Sequence, residues 1–252
     1  MTTLDDLNQM PDISQKIEFN FTKGLVRWTV RFIAFFIGLS FFLVLLLKWL
    51  NPPTTSFILQ RQFQAWRKGE KNFELHYRWA SWASISQHLK MAAITSEDQR
   101  FAYHWGLDLE SIEKAVDEYQ QGKDLRGAST ITQQVAKNLF LWQDQSYIRK
   151  GIEAYFALLI ELCWSKERIL EIYLNIAEFG NGIYGAQAAA KQYFRTTAAL
   201  LSKWQSALMV TALPAPKRYD IAHPSAYMYS RERWVLRYMD LLGEKSYLQR
   251  LK

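Results

Sequence analysis

The residues best suited to chemistry fall in four short segments. In the first, Glu97-Asp98 follows an apolar turn at residues 91–94 and precedes Phe101, Tyr103, His104 and Trp105. A carboxylate among apolar and aromatic neighbours loses hydration, which favours its protonated form and lifts its pKa toward neutrality. A general acid or base needs such a pKa. A helix-end Glu-Asp pair facing water has the same pattern, so this segment alone leaves both readings open. In the second segment, Gly127-Ala128-Ser129-Thr130 has the form of a helix start, whose free N–H groups and hydroxyls favour an anion, and Lys137 stands two turns further on. A capped amphipathic helix with its polar residues on a wet face fits the same residues. In the third, Arg149 and Glu153 are four apart and share a helix face, with Lys150 beside them. An isolated pair of this kind is usually exposed and contributes little. In the fourth, Gly180, Gly182 and Gly185 imply a tight, closely approached backbone, as in a structural turn between helices.

Other catalytic signatures are incomplete. The second segment is not a nucleophile elbow, because Ile131 stands where that motif needs a second glycine. Ser111-Ile112-Glu113-Lys114 matches the S-x-x-K of penicillin-binding transpeptidases, but no K-T-G or S-x-N companion occurs, and the match reads as accidental. His76, His88, His104 and His223 form no H-E-x-x-H, and no G-x-x-x-x-G-K phosphate loop exists. Asp98 alone is weak evidence for a metal.

Helices must position these segments. No proline interrupts the chain between Pro53 and Pro214. Apolar residues step by three and four at Leu109, Ile112, Val116 and Tyr119, at Ile152, Phe156, Leu159 and Cys163, and at Trp234, Tyr238 and Leu241. Sustained alternation is scarce, so the fold class is all-α, with irregular connections near Gly106, Gly122 to Gly127 and Gly180 to Gly185. Ahead of them, residues 32–47 are uncharged and mostly apolar, and the stretch 25–50 spans a bilayer if Arg27, Arg31 and Lys48 snorkel. No small-x-small cleavage site follows Leu50, so the helix reads as a retained anchor rather than a signal peptide. Lys23, Arg27 and Arg31 before it place residues 1–24 in the cytoplasm and residues 51–252 outside. The segment 56–82, with Phe57, Ile58, Leu59, Phe63 and Trp66 among Arg61, Arg67 and Lys68, suits either the outer membrane surface or packing on the core.

Composition sets looser bounds. The 252 residues, 49% hydrophobic, allow one sizeable core and a short appendage. A net charge of +7 favours anionic partners without choosing among nucleic acid, anionic lipid and a phosphorylated substrate. The lone Cys163 forms no intrachain disulfide.

Taken in order, the segments carry E-D-x-x-F-x-x-H-x-G at 97–106, G-x-S-T-I-T-Q-Q-x-x-K-N at 127–138, R-K-x-x-E at 149–153 and L-N-x-x-x-F-G-x-G-x-x-G at 174–185. Over residues 80–215 the chain resembles the bacterial glycosyltransferase family shared by monofunctional peptidoglycan glycosyltransferases and the amino-terminal half of bifunctional penicillin-binding proteins. The resemblance implies a lysozyme-like, mostly helical domain that extends glycan strands from lipid II, the lipid-linked disaccharide pentapeptide. It implies that Glu97 deprotonates the acceptor hydroxyl, that Lys137, Arg149 and Lys150 meet the charge of the leaving diphosphate, and that Glu153 orients these cations or the donor sugar. Ser129, Gln133, Gln134 and Asn138 match positions that hydrogen-bond substrate. The implied partners are lipid II, the growing strand, the membrane and other cell-wall synthesis or division proteins, with no nucleic acid. The implied location is the bacterial inner membrane, crossed once, with a periplasmic catalytic domain. No cofactor is firmly implied, although a divalent cation such as Mg²⁺ at the diphosphate, helped by Asp98, is admissible.

One residue departs from the pattern. Many relatives carry arginine four positions before the Arg-Lys pair, where this chain has Gln145, so its role falls to Arg149, Lys150 or Lys123. Two rivals share parts of the reading. A lytic transglycosylase or muramidase has an all-α fold and a glutamate acid but no need of a diphosphate clamp, and a non-catalytic scaffold needs neither Glu97 nor Glu153.

Overall fold

The computed structural model describes residues 13–122, 129–144 and 146–251. Expectations placed on residues 1–12, on Lys123, on Gly127-Ala128 and on Gln145 lie outside the described residues. The chain divides into two compact units, Met1–Leu46 and Leu47–Lys252.

The first unit is made by α1, Ile13–Leu47. Its stretch Lys23–Leu47 is 25 residues long and apolar enough to cross a membrane. At about 1.5 Å per residue it exceeds the roughly 30 Å hydrocarbon thickness. Trp28, Phe32, Phe35 and Phe42 are all exposed, a surface that lipid satisfies and water does not.

The second unit is helical around α3 (Gln87–Glu97), in which every residue from Leu89 to Thr95 is buried. A helix apolar on all sides lies inside its domain. Around it stand α9 (Lys203–Val210), α10 (Ala226–Leu242), α7 (Lys166–Ile176) and the short α11 (Glu244–Gln249). A second layer packs α5 (Ile131–Phe140) against both α7 and α6 (Tyr147–Cys163). Polar caps fix where these helices begin: Ser86, Thr130, Ser146, Ser165 and Ser202 each accept a backbone N–H from the first turn.

Two helices carry apolar faces that the periodicity assigned only in part. In α2 (Ser56–Lys68), Ile58, Arg61 and Ala65 face the core while Leu59, Phe63 and Trp66 are exposed, so one face packs on the domain and the other is left apolar and open. In α4 (Leu109–Gln120) the spacing marks a helix, yet Leu109 is 71% and Tyr119 60% exposed. The third set also lies on a helix: α10 buries Met228, Val235 and Met239, one step round from Trp234 and Tyr238, and leaves Leu241 exposed.

The glycine segment folds as a small sheet rather than an irregular connection. Strands β1 (His76–Tyr77), β2 (Glu178–Gly180) and β3 (Ile183–Tyr184) lie in the order β1-β3-β2, with β1 parallel and β2 antiparallel to β3. Gly185 then turns the chain into α8 (Ala186–Phe194) at φ +86°, and a Cβ there would stand 2.5 Å from the Asn175 carbonyl oxygen. Asn175 is fully buried. It accepts the Ala80 N–H at 2.7 Å and donates to the Ala80 carbonyl at 2.8 Å, so this motif clamps scaffold rather than presenting a site.

Candidate active site

Glu97 is the last residue of α3 and opens on a cleft of about 620 Å³. Ser129 and Thr130 before α5 line it from one side, and Arg231, Trp234 and Tyr238 of α10 from another. Two donors hold the carboxylate, the Gln134 amide at 2.9 Å and the Ser96 hydroxyl at 3.2 Å. Burial pushes its pKa above the ordinary 4.5; the two hydrogen bonds and the Arg231 charge pull the other way without reversing the shift. Tyr173, buried beneath, donates to the Gln134 carbonyl at 3.4 Å. The result is an oriented carboxylate with raised basicity facing open space, which is what proton abstraction requires.

Asp98 does different work. Both its oxygens lie 2.9–3.0 Å from His104 Nε2, and Oδ2 also accepts the Ile131 N–H at 3.0 Å. It is 7% exposed and ties the end of α3 to the start of α5. These bonds give it a structural role, and no group of three or more His, Cys, Asp or Glu fit to hold a metal occurs among the described residues.

The second segment divides by role. Thr130 and Gln133 form a capping box: the Thr130 hydroxyl accepts the Gln133 N–H and the Gln133 carbonyl accepts the Thr130 N–H. Gln133 is 3% exposed, so its side chain holds the start of α5. Gln134 reaches Glu97, as above. Lys137 lies one turn beyond Gln134 on the same face and forms no ion pair among the described residues. Burial pushes its pKa down, while Glu153 pulls it up and Arg149 and Lys150 push further down. Asn138 is half-buried and makes no side-chain hydrogen bond among the described residues.

The third segment is no surface pair. Glu153 is 2% exposed and takes Arg149 at 2.7 Å on one oxygen and Lys150 on the other. Lys150 also donates to the Ser129 hydroxyl at 3.0 Å, which brings this cluster to the rim of the Glu97 cleft. Three cations, Lys137, Arg149 and Lys150, thus stand against one carboxylate, an excess suited to a dianionic leaving group. Behind them Glu161 accepts from Thr132 at 2.6 Å and Lys166 at 2.7 Å, and Lys166 donates to the His104 carbonyl, bracing α5, α6 and α7.

Most of the chain is similar to known proteins. The transglycosylase family model matches residues 66–240. A biosynthetic peptidoglycan transglycosylase of Pseudomonas putida strain F1 is 49% identical over 227 residues, covering 90% of this chain and 96% of that protein. Those of Pseudomonas syringae pv. tomato and Stutzerimonas stutzeri are 46% and 48% identical, over 90% and 88% of this chain. The chain belongs to the transglycosylase family. Its helical unit has the lysozyme-like fold of that family, as the sequence implied.

The cleft of this transglycosylase also holds residues that sequence reading passed over. Arg231 donates to the Ser96 carbonyl at 3.3 Å and lies over the Trp234 ring at 4.0 Å, and Trp234 stacks on Tyr238 at 4.3 Å. In the sequence Trp234 and Tyr238 read only as part of a helical spacing; with Arg231 they form a cation and two aromatics at i, i+3 and i+7. The S-x-x-K tetrapeptide proves to be a helix start: Ser111 donates to Asp108 at 2.6 Å and Lys114 to Glu110 at 3.4 Å, so serine and lysine do not meet.

Proposed function

We propose that this transglycosylase polymerises peptidoglycan glycan from lipid II. The supporting observation is that Glu97, held by Gln134 with its pKa raised by burial, shares a cleft with Ser129, whose hydroxyl takes the Lys150 ammonium of the cation cluster. In the reaction the acceptor N-acetylglucosamine 4-hydroxyl gives its proton to Glu97, and its oxygen attacks the anomeric carbon of the donor N-acetylmuramic acid. The bond to undecaprenyl diphosphate breaks and the electron pair leaves with the diphosphate, so the α-linked donor becomes a β-1,4 bond. Lys137, Arg149 and Lys150 stabilise the charge as it develops, and buried Glu153 keeps two of them aimed. In this reading Ser129 and Asn138 hydrogen-bond sugar or diphosphate.

The membrane helix supports attachment at the surface that carries the substrate. The basic residues Lys23, Arg27 and Arg31 support a cytoplasmic tail at 1–24 and an outward-facing domain at 51–252. The deciding assay gives the detergent-solubilised full chain either purified lipid II or finished sacculi. Polymer from the first and no fragments from the second is the expected result; fragments released from sacculi would replace synthesis by lytic cleavage.

A further inference from the structure

A second concave surface lies away from the cleft. It is a groove of about 530 Å³ whose lining includes Arg78, Gln187, Lys191, Arg195, Thr196 and Thr197 and no carboxylate. The fold assembles it from two directions. Arg78 follows β1, which pairs with β3, and β3 leads directly into α8. Gln187 and Lys191 step by four along one face of α8, Arg195 caps its end, and all three line the groove with Arg78. The groove is remote from Glu97. Ser86, the cap of α3, donates its N–H to the Ala198 carbonyl at 2.9 Å and its hydroxyl to the Leu201 carbonyl at 2.8 Å, fixing this loop at the amino end of α3. Glu97 is at the other end, roughly 15 Å away along an eleven-residue helix.

Three features point to an anion. Arg78, Lys191 and Arg195 are exposed, and none forms an ion pair among the described residues, although like charges brought together repel. Arg195 ends α8 at φ +53°, the one positive φ outside glycine among the described residues, at a position where glycine or asparagine is the usual helix stop. A strained backbone that keeps a guanidinium at a groove marks functional use of that group. The remaining polar groups are free to donate. Thr197 precedes the short helix Ala198–Leu200 without capping it, and Gln187 spends only its carbonyl, on the Ala198 N–H at 3.1 Å.

We infer that this groove binds a phosphate-bearing ligand, either a lipid headgroup or a free phosphate compound. Two guanidinium forks, an ammonium, hydroxyls and an amide supply donors to several phosphate oxygens with no acceptor-only group to oppose them. The site is independent of the catalytic cations, and its occupancy does not require the transfer reaction.

The test uses the full chain in neutral detergent micelles. Calorimetric titration is made with inorganic phosphate in one arm and with micelles doped with phosphatidylglycerol in the other, for wild type, for Arg78→Gln/Lys191→Gln/Arg195→Gln and for Lys191→Glu. Because Lys137, Arg149 and Lys150 also attract phosphate, the series is repeated on a Lys137→Ala background. Saturable binding that weakens at least about tenfold in the groove variants on both backgrounds, with melting unchanged, is expected. Loss seen only with doped micelles assigns a headgroup, and loss seen with inorganic phosphate assigns a soluble source. Absence of saturable binding in both arms, or binding indifferent to the groove substitutions, overturns the inference.

Discussion

At the scale of single residues, the proposed mechanism rests on Glu97 and its donors. Glu97→Gln keeps size and part of the hydrogen bonding but cannot accept a proton, so the polymerisation rate should fall by roughly a hundredfold or more. Lys137→Ala should also slow the reaction, by removing an interaction that strengthens as the diphosphate leaves. The two separate by pH. The wild-type rate rises with pH as Glu97 ionises, and that limb should survive in Lys137→Ala and vanish from the residual activity of Glu97→Gln; a near wild-type Glu97→Gln enzyme would transfer the role of base to Glu153. Stability gives an independent reading. Burial raises the folded pKa of Glu97 above 4.5, so its contribution is full below the unfolded value and is lost as pH rises through the folded one. Glu97→Gln should therefore melt higher than wild type at pH 7, with the difference closing below about pH 4.5. Gln134 acts through Glu97. Its amide favours the charged carboxylate, so Gln134→Leu should shift the rising limb to higher pH, and an unmoved limb would show that this hydrogen bond does not tune the base.

At the scale of elements, the turn from β3 into α8 and the outward face of α2 can be tested separately. Gly185 holds a backbone conformation that side chains rarely adopt, against the Asn175 carbonyl. Gly185→Ala should destabilise the protein by at least about 2 kcal/mol in chemical denaturation, whereas an equally stable variant would mean that the turn can open away from α7. The outward face of α2 carries Leu59, Phe63 and Trp66, with the last two rings 5.7 Å apart. Such a face suits the headgroup region. In a chain lacking the anchor, Phe63→Ser/Trp66→Ser should weaken liposome binding severalfold without changing the melting temperature, because Ile58 and Ala65 on the opposite face hold the packing. Unchanged liposome binding would remove α2 from the membrane surface.

At the scale of the whole molecule, the residues of the proposed mechanism all lie in the unit Leu47–Lys252, and the apolar span precedes them in the chain. Residues 51–252 should therefore retain activity on detergent-dispersed lipid II. On bilayer-embedded substrate they should be much slower than the full chain, because attachment confines enzyme and substrate to one surface and raises their effective concentration. Equal rates for the two forms on bilayers would show that the anchor has no part in substrate capture.

The sequence by itself determined the family, the reaction class and the apolar helix of spanning length, and it named the residues on which the proposed mechanism rests. These are written in local patterns: a carboxylate after an apolar turn, polar residues at one helical spacing, an uncharged run of spanning length. Tertiary structure decided what each polar residue does. Gln133 and Gln134 are adjacent and alike, yet one closes a capping box and the other reaches Glu97, because successive helical positions point about 100° apart and only the packing of α5 selects which meets α3. Arg149 and Glu153 read as a surface pair because spacing carries no record of burial, and α6 packed on α5 buries them. Arg231, Trp234 and Tyr238 sit far along the chain from Glu97, and their place in its cleft depends on α10 returning to α3, a long-range contact that periodicity does not encode.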